Sequence, residues 1–290
     1  MRAAVHAGQL HQPVPGGIGL YITALVARLP AFGVEPVAFA AGSRPRTIPA
    51  AVPWIDLGAP HGSVRYELWH RLRRPVVRID ADVVHAPSLA IPPIRAQPLV
   101  VTVHDIAFMR FPDGTTPRGA SFHRRGLEIA RREATLVLSP STFTRDELIR
   151  EGFAADDVLL APLGVNSPLP RDPSEIDAVV ARCGIREPFL LTVGTVEPRK
   201  DLPTIVAATQ RLRTRRPELT LVIVGPRGWG DVRGIDGPGV HVIGELPWRT
   251  VDALIRRASA CCIASRYEGF GLPALEALVR GAPLVAANDS

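Results

Sequence analysis

Residues 260–277 read ACCIASRYEGFGLPALEA, an apolar run followed by a glycine-rich turn and a helix-forming segment. The run Ala260–Ala264 predicts a buried strand, because short apolar runs bounded by turn residues are typical of parallel sheets. Gly269 and Gly271 mark the turn, and Pro273 suits the first turn of a helix, where its missing N–H is not needed. The segment therefore predicts one strand–turn–helix unit of an α/β domain.

The same alternation of apolar runs and helical patterns extends through most of the chain and forms two sets of predicted strands. The first set comprises Ala3–His6, Glu35–Ala40, Asp82–His85, Leu99–His104, Thr135–Leu138 and Val158–Ala161. The second set comprises Phe189–Val193, Leu219–Val224, Val240–Ile243, Ala260–Ala264 and Pro283–Ala287. Between them lie helical patterns with one apolar side: Ile18, Tyr21, Ile22, Leu25, Val26 and Leu29 in one, and Leu202, Ile205, Val206, Thr209 and Leu212 in another. This alternation predicts parallel sheets with helices on both faces.

The segment Ala161–Pro173 separates the two sets, and its prolines and glycine do not suit a helix interior or a central strand. We interpret it as a linker between two doubly wound domains, residues 1–165 and 166–290. A length of 290 residues suits two such domains. Sheets of this kind bind ligands beyond the carboxyl ends of their strands, so a cleft between the domains is the expected ligand site.

The composition indicates a globular protein, with 46% hydrophobic and 21% charged residues. No apolar run reaches the roughly 20 residues of a membrane span, and Met1–Gly8 predicts a first strand in preference to a signal peptide. The three cysteines form an odd set, which favours a reduced, cytoplasmic protein.

The net charge of +6 raises the question of a nucleic acid or an anionic membrane as partner. The arginines are scattered and lack the interleaved aromatic residues of a nucleic-acid platform, so we predict no nucleic-acid partner. Solvated helix faces are the simpler interpretation of these arginines. A weak peripheral contact with the inner face of a membrane stays open.

Two glutamates frame the turn of the opening segment. The backbone N–H groups of this turn and of the following helix favour an anion. Glu268 precedes the turn and can accept hydrogen bonds from sugar hydroxyls, whereas Glu276 lies deeper in the helix, where it can reach a ribose. We predict no metal site, because the sequence shows no His/Cys cluster with the spacing of metal ligands.

Three further loops carry candidate residues, each with a simpler alternative. Arg199 and Lys200 follow a predicted strand and can flank a diphosphate, or they are a solvated charge pair. Gly16-Gly17 at the start of a helix lets the backbone approach an anion, or it is a tight turn. His104 ends a predicted strand and can bind a sugar hydroxyl, or it is a structural histidine beside Asp105 as a helix cap.

Four motifs agree in order and separation with one protein family over essentially the whole chain. They are Gly16-Gly17-Ile18-Gly19, Val103-His104-Asp105, Gly194 with Arg199-Lys200-Asp201, and Glu268-x7-Glu276 around Gly-Phe-Gly-Leu-Pro. Together they resemble the retaining GT-B glycosyltransferases of family 4, which include many bacterial mannosyl- and glucosyltransferases. The resemblance implies an α/β fold of two Rossmann-like domains, with acceptor binding in residues 1–165 and donor binding in residues 166–290.

The resemblance also implies roles for particular residues. Arg199 and Lys200 bind the donor diphosphate, Glu268 holds hydroxyls of the transferred hexose, and Glu276 binds the nucleotide ribose. The implied catalytic set is His104, Arg199, Lys200 and Glu268. The implied donor-binding set is Gly16, Gly17, Gly194, Arg199, Lys200, Glu268, Gly269, Phe270, Gly271, Leu272 and Glu276.

The resemblance further implies a metal-independent hexosyltransferase without a cofactor. The donor is a GDP- or UDP-linked sugar, mannose being favoured over glucose, and the acceptor is a glycan or a lipid-linked molecule. Relatives usually continue beyond the point where this sequence ends, so the second domain is expected to be incomplete. An inactive or truncated nucleotide-sugar-binding protein of the same fold is the main alternative, and another GT-B reaction, such as epimerisation or phosphorolysis, is a weaker one.

Overall fold

The computed structural model describes residues 1–111, 116–228 and 230–288. The chain divides into two compact units, and the division after Leu163 lies inside the segment that the sequence marks as a linker. The described residues between Arg110 and Thr116 group with the second unit, which the sequence does not predict.

The first unit is built on a parallel seven-stranded sheet with the order β3-β2-β1-β4-β5-β6-β7. Its strands are β1 (Arg2–His6), β2 (Glu35–Ala40), β3 (Trp54–Asp56), β4 (Val83–Ala86), β5 (Leu99–Thr102), β6 (Leu136–Ser139) and β7 (Val158–Leu160). Its helices are α1 (Gly16–Arg28), α2 (Gly62–Leu72), α3 (Ala107–Arg110), α4 (Pro117–Glu133) and α5 (Thr142–Arg150).

The second unit is built on a parallel five-stranded sheet with the order β10-β9-β8-β11-β12. Its strands are β8 (Phe189–Val193), β9 (Thr220–Val224), β10 (Val240–Gly244), β11 (Ala260–Ile263) and β12 (Leu284–Ala286). Its helices are α6 (Pro173–Arg182), α7 (Leu202–Arg213), α8 (Trp248–Arg257) and α9 (Leu272–Val279).

The inner strands are mostly apolar on both faces, which is typical of a parallel sheet that is covered on both sides. In β9, Leu221, Val222, Ile223 and Val224 are all buried, so consecutive side chains on opposite faces are shielded from water. This burial explains why the strands show continuous apolar runs instead of alternation.

Every strand predicted from the sequence is present; Glu35–Ala40 and Phe189–Val193 have the predicted bounds, and the other strands have shifted ends. β5 ends at Thr102, so His104 lies two residues beyond the strand. β3 was not predicted, because Trp54-Ile55-Asp56 follows Pro53 and ends in a charged residue, so it offers no continuous apolar run. The prediction that Leu212 lies on the buried side of α7 is wrong. Its side chain is 48% exposed, because it is the penultimate residue of the helix.

A buried ion pair fixes α9 against α8. Arg280 Nε donates to Asp252 Oδ1 at 2.7 Å, and both side chains are fully buried. Asp252 Oδ1 also accepts a hydrogen bond from the backbone N–H of Leu169, and Arg280 donates to the carbonyl oxygen of Asn166. The pair therefore anchors the segment that leads into the second unit, and it fixes the helix that carries Glu276.

Candidate active site

The loop after β8, the middle strand of the second sheet, carries two adjacent cations. Pro198–Lys200 form one 3-10 turn, and Asp201 follows with φ +45, a left-handed conformation, before α7 begins. Gly194, at the end of β8, has φ +153, and the side chain of Lys200 passes beside it. The turn therefore places Arg199 and Lys200 at the carboxyl end of the sheet.

Glu268, from the loop after β11, binds both cations at once. Lys200 Nζ lies 2.5 Å from Glu268 Oε1, and Arg199 Nη1 lies 3.2 Å from Glu268 Oε2. The three side chains are only 13%, 20% and 18% exposed for Lys200, Arg199 and Glu268, respectively. Such sheltered charges require partners, and each carboxylate oxygen here meets one cation.

Glu197, which the sequence analysis missed, holds the guanidinium of Arg199 from another direction. Glu197 Oε1 accepts from Arg199 Nη2 at 2.6 Å and from Nε at 3.0 Å, and its side chain is 3% exposed. The carbonyl oxygen of Tyr267 accepts a third bond, at 2.8 Å, from Arg199 Nη1. A carboxylate two residues before a candidate phosphate-binding arginine is the sequence signal that could have identified Glu197.

The electrostatic surroundings keep Glu268 ionised. Burial by itself raises the pKa of Glu268, but the charges of Lys200 and Arg199 and hydrogen bonds from Lys200 and Ser265 outweigh burial. The net pKa therefore lies below its usual value, and the carboxylate is charged at neutral pH. An ionised carboxylate is a hydrogen-bond acceptor for hydroxyl groups.

The glycine-rich turn before α9 has the predicted form. Gly271 has φ +81, which a side chain would strain, and it precedes Leu272 and Pro273 in the first turn of the helix. No side-chain oxygen caps this helix start. Backbone N–H groups in such a position favour an anionic ligand.

Glu276 lies on α9, and no hydrogen bond in the described part of the chain joins its carboxyl to Arg199, Lys200 or Glu268. Burial raises the pKa of Glu276 to about 7, although the nearby Arg280 lowers it in part. This carboxyl therefore changes its charge near neutral pH.

One small pocket brings two of the predicted donor-site residues, Gly194 and Lys200, together. Its lining residues come from the carboxyl ends of β8 and β11 and from the elements that follow them: Thr192, Val193, Gly194, Lys200, Leu202, Ile263, Ala264, Ser265 and Pro273. Gly194, Lys200 and the start of α9 therefore share one pocket. Gly269 and Phe270 lie in the loop that joins Glu268 to α9.

The remaining predicted residues belong to the first unit. Gly16, with φ +60, and Gly17 open α1 as predicted. His104 Nε2 lies 3.0 Å from the carbonyl oxygen of Pro87, so Nε2 must carry the proton, and burial lowers the pKa of His104. Asp105 Oδ1 accepts from the N–H of Ala107, which confirms its interpretation as a helix cap.

A search of the described residues for groups of at least three His, Cys, Asp or Glu side chains that could hold a metal ion finds none. Nor is any helix in that part of the chain both long and apolar enough to cross a membrane.

Two doubly wound parallel units, with paired cations at a strand end facing a glycine turn, define a GT-B type of protein. Residues 15–167 match the family described as Glycosyltransferase Family 4, and residues 184–290 match Glycosyl transferases group 1. The chain belongs to the family 4 glycosyltransferases.

Individual relatives agree with this assignment. O-antigen chain mannosyltransferase B of Escherichia coli is 31% identical over 236 residues, which cover 77% of this chain and 62% of that protein. D-inositol 3-phosphate glycosyltransferase of Rhodococcus jostii is 30% identical over 211 residues, which cover 66% of this chain and 46% of that protein. The matches thus span less than two thirds of these relatives. The structure of Anabaena HepE in complex with UDP-glucose has the same fold, with a TM-score of 0.70 at 18% identity, covering 99% of this chain and 80% of that one.

The contact between Glu197 and Arg199 can be tested through stability. Replacing Glu197 with Gln leaves the sheltered guanidinium of Arg199 without this charged partner, so we expect the free energy of unfolding to fall by about 1–3 kcal/mol in urea titrations. The matched control is Asp201→Asn in the same turn, whose partner Arg266 is 61% exposed, and it should cost less than about 1 kcal/mol. Equal losses in the two variants would contradict the assignment of Glu197 as the residue that holds Arg199.

Proposed function

We propose that this chain is a retaining glycosyltransferase that transfers a hexose from a nucleotide-diphosphate sugar to an acceptor. The observation that carries the proposal is the placement of Arg199 and Lys200 by Glu268 at the end of the middle strand of the second sheet. The family membership and the names of the relatives support it.

The chemistry of the donor suits this arrangement. Cleavage of the bond between the anomeric carbon and oxygen leaves negative charge on the diphosphate, where Arg199, Lys200 and the N-terminus of α9 can stabilise it. The departing phosphate oxygen takes the proton of the acceptor hydroxyl, which gives retention without a nucleophile from the protein. Glu268 is already paired with two cations, which lower its nucleophilicity, so it is better suited to hold sugar hydroxyls than to attack the anomeric carbon.

The favoured donor is GDP-mannose, followed by UDP-glucose. The name of the E. coli relative supports mannose, and the HepE complex with UDP-glucose keeps the second donor open. We further propose that transfer needs neither a metal ion nor a cofactor, and that the acceptor is a glycan or a lipid-linked molecule.

Donor binding is tested by calorimetric titration with GDP, UDP, GDP-mannose and UDP-glucose in the presence of EDTA. We expect saturable binding of one nucleotide family, weakened about tenfold or more by Lys200→Ala, because one charge-assisted hydrogen bond to phosphate is lost. Arg266→Ala, at a 61% exposed side chain in the neighbouring loop, is the control and should bind as the wild type does.

Two results would count against the proposal, one from this titration and one from a hexose-transfer assay. An absence of binding to all four ligands in a folded sample would overturn the donor site. Binding without hexose transfer to any of a panel of glycan acceptors would favour the non-catalytic nucleotide-sugar-binding alternative.

The pKa of Glu276 predicts how donor affinity depends on pH. The carboxyl has a pKa of about 7 in the free protein, and its ionised form accepts stronger hydrogen bonds from the two ribose hydroxyls than its neutral form does. We therefore expect affinity for the preferred nucleotide sugar to increase from pH 6 to pH 8. Its two phosphate groups keep a constant charge in this range, because each has one ester and one anhydride link. Glu276→Gln should bind more weakly, with a flat profile; an unchanged profile in this variant would remove Glu276 from the ribose site.

A further inference from the structure

Tyr21 of α1 makes a polar contact that its position on an apolar helix side does not predict. Its hydroxyl lies 3.3 Å from Thr102 Oγ1 at the end of β5. Burial raises the pKa of Tyr21, so the phenol is neutral throughout the physiological range. The contact therefore ties the helix that opens with Gly16-Gly17 to the strand that leads to His104.

The hydroxyl of Thr102 is held in turn by His85. His85 Nε2 lies 2.8 Å from Thr102 Oγ1, and both side chains are buried. Burial lowers the pKa of His85 to about 4, so its ring is neutral at pH 7. A hydroxyl group donates one hydrogen bond and accepts two, so Thr102 can bond to both Tyr21 and His85.

The ring of Tyr21 packs edge-on against two imidazoles. Its centroid lies 5.2 Å from that of His104 at an interplanar angle of 82°, and 6.1 Å from that of His85 at 84°. Such edge-to-face arrangements are favourable and directional. Because Pro87 holds Nε2 of His104, the Tyr21 ring and the Pro87 carbonyl together define the plane of the His104 ring and leave the lone pair on Nδ1.

We propose that Tyr21 is a positioning residue for His104, and that Thr102 and His85 fix Tyr21 in the orientation that this role requires. Its importance for catalysis rests on the proposed function and on the expectation, from the family resemblance, that His104 belongs to the catalytic set. The contacts themselves belong to the first unit and can be tested independently of activity.

The direct test is nitrogen-15 NMR of the histidine rings in the free protein, with His104 assigned through His104→Gln. In the wild type we expect His104 to show one neutral tautomer, protonated at Nε2. Tyr21→Leu removes the ring contact and should shift the ring signals of His104 towards averaged values, whereas Tyr21→Phe keeps the ring and should produce a smaller shift. Tyr66→Phe, at the other partly buried tyrosine of this unit, is the control and should leave His104 unchanged.

Urea titration establishes that each variant is folded. Should Tyr21→Leu unfold, Tyr21→Phe combined with Thr102→Val takes its place, because it keeps the volume but releases the ring from its hydrogen bond. Unchanged His104 signals in a folded Tyr21→Leu, or in its replacement, would overturn the proposal.

The kinetic test is a double-mutant cycle with His104→Ala. Tyr21→Leu alone should lower kcat/KM about three- to tenfold, the equivalent of one aromatic contact, and should have no further effect in the His104→Ala background. Additive losses would mean that Tyr21 does not act through His104. If the wild type transfers no sugar, the proposed function fails, while the NMR result still decides the role of Tyr21.

Discussion

The bridging of two cations by one carboxylate is the interaction on which the candidate site depends. Glu268, in the loop after β11, accepts hydrogen bonds from Lys200 and Arg199, which both lie in the loop after β8. The backbone N–H of Arg266 also donates to the carbonyl oxygen of Arg199. The loops after β8 and β11 are thereby joined at adjacent strand ends. Without Glu268, the sheltered ammonium of Lys200 would lose its charged partner, whereas Arg199 would keep Glu197.

A polar network of a different kind organises the strand ends of the first unit. This network consists of neutral groups: the phenol of Tyr21, the hydroxyl of Thr102 and the imidazoles of His85 and His104. They are joined through hydrogen bonds and ring contacts. Such networks specify orientation with little electrostatic cost, because no ionised group is buried. The two units thus differ in the interactions that order their strand ends: paired charges in the second and neutral polar groups in the first.

The sequence predicted the sheets because strands covered on both faces must be continuously apolar, and it predicted Arg199, Lys200 and Glu268 through motif order. It did not predict β3, which offers no continuous apolar run, or the exposure of Leu212 at a helix end. The role of Tyr21 was missed because it depends on Thr102, 81 positions away, which only tertiary structure brings near. Glu197 was missed although it lies two residues from Arg199, because a carboxylate at that spacing is not by itself a sign of pairing. Side-chain pairing between distant loops has no periodicity, so spacing alone does not reveal it.

The proposal that Lys200, Arg199 and Glu268 form the diphosphate site can be tested directly through Lys200, because it is the single lysine of the chain. Nitrogen-15 labelling of lysine side chains gives one ammonium signal, which reports on the cluster of Lys200, Arg199 and Glu268. Titration with the nucleotide diphosphate that binds should shift this signal saturably, and Glu268→Gln should move its starting position. A signal that stays unchanged at saturating nucleotide would contradict the assignment of this cluster as the diphosphate site.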